Sequence, residues 1–173
     1  DALAARVGAQ GELIVVMPDG DNSYYTDWAT RPDPADCRRA PPQPEPAAQY
    51  CVETPRYEAY LAQDLVRHVD SAYRTRADGR HRGIAGLSMG GYGALTLALR
   101  HPDVFGAAAS HSGVTSLMLI GPRPYAPPAR WARDTAELHD VWGPSFWRFL
   151  LPVFGADTAD WWAREPARLA GVA

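Results

Sequence analysis

HRGIAGLSMGGYGALTLALRHP, residues 81–102, is the stretch whose reading decides the fold. HRGIAGL (81–87) is a short apolar run of the kind that forms a buried strand. MGGYGALTLALRHP (89–102) reads as a helix that stops at His101-Pro102, because the residue before a proline is pushed out of the helical region. Between the two stands Ser88, in Gly86-Leu87-Ser88-Met89-Gly90, a match to G-x-S-x-G. That pentapeptide carries chemistry where a strand precedes it and a helix follows, and both are read here. The chain must turn sharply at the serine, so side chains at 86 and 90 are expected to clash and Ser88 is expected in strained backbone geometry. A hydroxyl at a helix N-terminus meets unpaired N–H groups and the positive end of the helix dipole, which favour developing negative charge. Ser88 is therefore the candidate nucleophile, and the Met89 N–H a candidate oxyanion-hole donor. Gly91 and Gly93 are expected to let the helix pack closely on the strands.

Working outward, ELIVVMPDG (12–20) is an apolar, β-branched run closed by Pro-Asp-Gly and predicts a strand buried on both faces. Residues 21–53 are rich in Pro, Asp and aromatic side chains and predict an irregular segment, long enough to be functional or mobile. Thr54-Pro55 reads as a helix cap with proline at the first helical position. Tyr57, Tyr60, Leu61, Leu65, Val69 and Tyr73 then keep the spacing of an amphipathic helix, with His68 beside the stripe as a packing or surface histidine. ADGR (77–80) is a turn, and DVFGAAASHSG (103–113) predicts a third strand running into a turn. Strands alternating with helices give the α/β class, with parallel strands joined by right-handed crossovers. After Val114 the character changes to a proline-rich loop (121–128) and short helical pieces carrying Trp131, Trp142, Trp147, Trp161 and Trp162. Residues 1–113 are thus read as a sheet core and 114–173 as a helical segment over one sheet edge, its tryptophans mainly packing.

The bulk properties narrow the function. A chain of 173 residues buries one good core, so one domain is expected. A net charge of -3 with arginines spread along the chain gives no sign of nucleic-acid binding. The aliphatic run Leu13 to Met17 is far too short to cross a bilayer. The opening DALAARVGAQGE reads as the end of a helix and a turn, not as a natural start, which leaves both cytoplasmic and secreted locations open. Cys37 and Cys51 flank RRAPPQPEPAAQY without metal-ligand spacing. They either close the loop as a disulfide, contributing about 3 kcal/mol, or stay as two thiols.

Three stretches, MPDGDNSYYTDW (17–28), the run from Tyr57 to Gly113, and FGADTADWWAREPARLA (154–170), resemble the esterase D/antigen 85-like branch of the α/β-hydrolases. That branch includes S-formylglutathione hydrolases, tributyrin-type carboxylesterases, feruloyl esterases and mycolyltransferases. The proline-rich insert at 31–48 departs from its usual pattern. The resemblance implies a partial α/β-hydrolase fold, an acyl-accepting Ser88, and the Met89 N–H in the oxyanion hole. It also implies that Asp19 to Tyr25 and Ser110 to Gly113 border the substrate, with Asp19, Tyr25 and His111 lining the pocket. The placement agrees with the rule that open α/β sheets bind ligands at their strand carboxyl ends. Tyr24, Tyr25 and Trp28 are candidates to accept an aryl or short acyl ester, or are simply packed.

A serine hydroxyl needs a histidine oriented by a carboxylate to take its proton, and in this fold the order is Ser, acid, His. Asp103 with His111 and Asp134 with His139 obey the order, but Asp103 is expected at the far edge of its strand and the second pair falls on one helical segment. The resemblance places the acid after a later strand and the histidine after the final one, so neither is identified in this chain. The reading is one incomplete α/β-hydrolase domain with exposed strand edges and little turnover of its own. The function expected is a serine carboxylic-ester hydrolase acting on a small-molecule ester; the alternatives are a mycolyltransferase-like acyltransferase and a catalytically inactive member of the fold. No metal or organic cofactor is called for by acyl-serine chemistry. A homo-oligomer is compatible with the sequence.

Overall fold

In the computed structural model, residues 13–31, 33–39, 51, 55–122 and 127–171 are described. Pro34–Arg39 forms α1, a short helix inside the segment expected to be irregular. Tyr57–Ala59 (α2), a π-helical turn Tyr60–Asp64, and Leu65–Ala72 (α3) make one continuous helical stretch. Thr54, the expected cap, lies outside the described residues; the N-cap position is Arg56, which makes no side-chain cap hydrogen bond. Then follow β1 (Gly83–Leu87), α4 (Met89–Arg100) and β2 (Ala107–His111). A two-residue ladder pairs β3 (Leu119–Ile120) antiparallel with β4 (Arg130–Trp131). The tail holds α5 (Thr135–Phe154), α6 (Thr158–Trp162) and α7 (Pro166–Leu169).

β1 and β2 pair in parallel, in register from Gly83 opposite Ala107 to Leu87 opposite His111. α4 is the crossover between them and packs on both strands. Its apolar side chains face two clusters. Leu97 joins Leu61, Ala62 and Phe105 under α2–α3, while Tyr92 joins Tyr24, Leu117, Met118, Phe154 and Trp161 under the tail. Cys51 belongs to the second cluster, is 3% exposed and is disulfide-bonded.

The first expected strand, over 12–20, is not seen in its described residues: Leu13 to Met17 pair with no strand among the described residues and are 43–89% exposed. A cavity of about 1230 Å³ lies between Leu13, Ile14, Val16 and Met17 on one side and β1 on the other. A parallel strand needs a hydrogen-bonding neighbour along its length, and here the second edge of β1 lies across open space. The sheet face away from α4 is also bare, with Gly83, Ala85 and Leu87 exposed and β2 exposed throughout.

α5 is two helices merged at Gly143 (φ 76°, ψ 162°). Pro144 favours an extended residue before it and then starts the second half as a preset first-turn residue. Trp161, fully buried, stacks on Trp147 with centroids 5.5 Å apart and donates its indole N–H to the Gly155 carbonyl at 2.9 Å. Trp28, Trp131, Trp142, Trp147 and Trp162 pack, partly buried, against the same cluster. No helix among the described residues is long and apolar enough to cross a membrane.

Candidate active site

Ser88 occupies the single residue between β1 and α4, at φ 54° and ψ −116°. A non-glycine residue there carries strain of about 1–3 kcal/mol, which persists only where the surroundings over-determine it. The Ser88 N–H donates to the His111 carbonyl at 2.9 Å, which continues the β1–β2 ladder by one bond, and the Ser88 carbonyl accepts from the Tyr92 N–H at 3.1 Å. Gly86 is required by this path: a Cβ there would lie 2.2 Å from the backbone of Gly90. Gly90 is less constrained than expected, since a Cβ on it would meet Tyr25 Oη at 3.7 Å, an ordinary contact.

Serine at an N-cap normally turns its hydroxyl back onto the amides of its own helix. Ser88 makes no side-chain cap hydrogen bond, so its Oγ stays clear of the first turn of α4. The N–H groups of that turn, Met89 first, have no intrahelical acceptor. Ser88 is exposed and Met89 half-buried against the tail cluster. The turn thus presents a free hydroxyl beside backbone donors aimed outward from a twelve-residue helix, an arrangement suited to a nucleophile and a nascent oxyanion.

The expected neighbours are distributed unevenly. His111 ends β2 level with Leu87, and its exposed side chain stands on the strand beside the serine. Ser112 follows at φ 49°, another strained residue at the same edge. Gly91 lies against this turn, where a Cβ would come within 2.6 Å of Ser110 Oγ and 2.8 Å of Gly113 Cα. Gly93 instead faces Tyr25, whose ring would be 2.5 Å from a Cβ at that position. The close packing expected for Gly93 is therefore with a loop tyrosine and not with a strand. Tyr25 lines the large cavity alongside Gly86, Leu87 and Gly90, whereas Asp19 and His111 do not. Burial and the neighbouring Asp19 charge raise the Tyr25 pKa above its ordinary value.

The loop from Gly20 to Trp28 is tightly built. Asp21, Tyr24 and Tyr25 all have positive φ, at 43°, 54° and 54°. The Ser23 hydroxyl donates to the Gly20 carbonyl and accepts from the Tyr25 N–H, and the Asp19 carboxylate accepts from the Asp21 N–H. The Tyr57 hydroxyl donates to Asp21 in a short hydrogen bond. Tyr24 is buried in edge contact with Tyr92 and Phe154, and burial pushes its pKa to about 12.

Neither sequence-order pair forms. Asp103 lies at the opposite end of β2 from His111, with its carbonyl against Gly79. Asp134 caps α5 by accepting from the Glu137 N–H, while His139 faces Asp140 and the ring of Trp147. His81 pairs with Asp78 and His101 with Glu58, both away from the turn. Among the described residues no histidine or carboxylate hydrogen-bonds the Ser88 hydroxyl, and no cluster of His, Cys, Asp and Glu suits a metal. The Cys37 side chain lies outside the described residues.

Two residues of the tail that sequence reasoning passed over join it to the 20–28 loop and to the chain after β2. Arg164 hydrogen-bonds Thr26 and Asp27 of the loop, and Glu165 accepts from the Leu117 and Met118 N–H groups after β2. Their signal in the sequence was their place in FGADTADWWAREPARLA, one of the three stretches that carry the family resemblance.

Comparison with known proteins bears on the whole chain. The model of the Esterase family, described as "Putative esterase", matches residues 1–171. The esterase Rv1288 of Mycobacterium tuberculosis is 29% identical over 131 residues, covering 76% of this chain and 24% of that protein. The diacylglycerol acyltransferase/mycolyltransferase Ag85A of Mycobacterium leprae is 33% identical over 142 residues, covering 79% of this chain and 37% of that protein. An S-formylglutathione hydrolase from Agrobacterium tumefaciens shares the fold, with a TM-score of 0.50 at 20% identity over 85% of this chain and 38% of that one. The chain therefore covers between 24% and 37% of the length of these curated relatives.

Proposed function

Because the chain belongs to the Esterase family, we propose that it carries the nucleophile of a serine carboxylic-ester hydrolase. The observation that carries this reading is the uncapped, strained Ser88 between β1 and α4. In the reaction, Ser88 Oγ attacks the ester carbonyl and loses its proton to a base. The N–H of Met89 holds the oxyanion, collapse expels the alcohol, and water then releases the acid from the acyl-serine. Residues 1–113 and 114–173 are read as the sheet core and tail of one incomplete α/β-hydrolase domain, a reading supported by the bare sheet face and by the edge of β1 that no described residue pairs with. With no base at the Ser88 hydroxyl among the described residues, residues 1–173 are expected to acylate slowly and turn over poorly. Asp19, Tyr25 and His111 are retained as residues bordering the substrate, and a small-molecule ester is the expected substrate.

A second reading, transfer of the acyl group to an alcohol in place of water, is favoured by the acyltransferase relative at 33% identity. The acyl-serine is common to both, so product analysis with an added acceptor alcohol separates them.

The test is incubation with p-nitrophenyl acetate, with and without added imidazole as a diffusible base, and peptide mass analysis. An acetyl group on the Ser88 peptide, formed faster with imidazole and absent from Ser88→Ala, is the expected result. Acetylation elsewhere, or none at Ser88, overturns the reading. Robust turnover without imidazole that is abolished by Ser88→Ala would instead place a base within these residues.

A further inference from the structure

Arg164 stands 76 residues beyond Ser88 in the chain, yet it contacts both the 20–28 loop and Tyr92 of α4. Its Nε donates to Thr26 Oγ1 at 3.0 Å, and one terminal nitrogen donates to the Asp27 carbonyl at 3.0 Å. The other terminal nitrogen donates to the Asp160 carbonyl at 2.9 Å, within its own helical segment, with the Asp160 carboxylate 3.5 Å away. The main-chain carbonyl of Arg164 accepts from the Tyr92 hydroxyl at 2.9 Å. Tyr92 is fully buried and its N–H holds the Ser88 carbonyl. One residue therefore ties the 20–28 loop to the first turn of α4.

That loop does not sit at a distance from the turn. The Tyr25 ring lies on Gly93 and Gly90 of α4, so the spacing of loop and helix sets how the tyrosine rests against the start of that helix. Three strained residues in the loop need neighbours that over-determine their geometry, and the guanidinium supplies two of the loop's fixed contacts. Lysine has a single point charge in place of the planar fork and cannot make both contacts in this geometry.

We propose that Arg164 is a positioning residue for the Ser88 site, holding the Gly20–Trp28 loop in register with the first turn of α4. This rests on the reading of Ser88 as nucleophile for its catalytic consequence, but the positioning itself is measured without catalysis. Peptide-resolved amide hydrogen exchange on wild type, Arg164→Ala and Arg164→Lys is the experiment. The expected result is faster exchange confined to 20–28 and 88–92 in Arg164→Ala, a smaller increase in Arg164→Lys, and unchanged exchange in β1 and β2. No change in those two segments, or an equal increase throughout the chain, overturns the proposal. Should Arg164→Ala fail to fold, Thr26→Val removes one of the two loop contacts and must raise exchange at 20–28 while sparing the strands; no increase overturns the proposal. In the same samples, acetylation of Ser88 by p-nitrophenyl acetate should slow by up to about 100-fold in Arg164→Ala, the scale of an ångström-sized misplacement. Absence of acetylation in wild type counts against the nucleophile assignment and leaves the exchange pattern to decide the role of Arg164.

Discussion

Gly86 and Glu165 show most directly what single residues do here. A Cβ at Gly86 would fall on the carbonyl carbon and oxygen of Gly90, and backbone cannot move aside as a flexible side chain can. Gly86→Ala is therefore expected to cost about 1–3 kcal/mol or more, read as a lower denaturant midpoint, whereas Gly90→Ala should cost less. Equal midpoints for the two variants would contradict the path drawn for the turn. Glu165 is fully buried; its Oε2 accepts the Leu117 and Met118 amides, and its Oε1 has no hydrogen-bond partner among the described residues. Burial raises its pKa, opposed by the Ser116 hydroxyl and the amides of Leu117, Met118 and Ala167. A carboxyl raised on folding contributes stability that is complete below its unfolded pKa of about 4.3 and is lost as pH rises through the folded value. Wild type should therefore lose stability relative to Glu165→Gln between acid and neutral pH. Urea midpoints that stay parallel across that range would rule this out.

At the scale of elements, the two aspartate caps of the tail were not read from the sequence, and the strands were read only in part. Asp134 accepts from the Glu137 N–H at 2.9 Å and starts α5, and Asp157 starts α6 by accepting from Ala159 N–H at 2.8 Å. Asp134→Ala should cost about 1 kcal/mol, a fall of roughly 2–4 °C in melting temperature for a chain of this size. Asp134→Asn should retain most of that stability, and calorimetry of the pair checks it. The helix after Ser88 was readable to its end because the His101-Pro102 stop is a local steric effect. The π-turn at Tyr60–Asp64 was not, since i→i+5 pairing leaves no distinct spacing in a stripe that already fits an α-helix.

For the whole molecule, the decisive feature is how little covers the sheet. Two parallel strands form a marginal unit, and parallel sheets are ordinarily packed on both faces. Here one face of β1 and all of β2 are exposed, and Leu13 to Met17 stand apart from β1 across the cavity. Residues 1–173 should bind anilinonaphthalene sulfonate in the folded state and self-associate. Ile14→Lys with Val16→Lys should reduce both without lowering the denaturant midpoint, because those side chains are already 46% and 43% exposed. A dye-silent, strictly monomeric wild type would refute this account of the surface.

What the sequence by itself determined was local: a strand, a turn at Ser88 and a helix, in that order. These rest on steric exclusions and periodicities that act within a few residues. The apolar run 13–17 carried the same strand signal, but a strand exists only where a neighbour supplies its hydrogen bonds, and no spacing rule reports that neighbour. The assignments that needed distance in space were likewise decided by tertiary structure. Gly93 met a tyrosine and not a strand, and Arg164 proved to join the loop to the helix. Each depends on which distant groups packing brings into contact, and sequence separation does not report that.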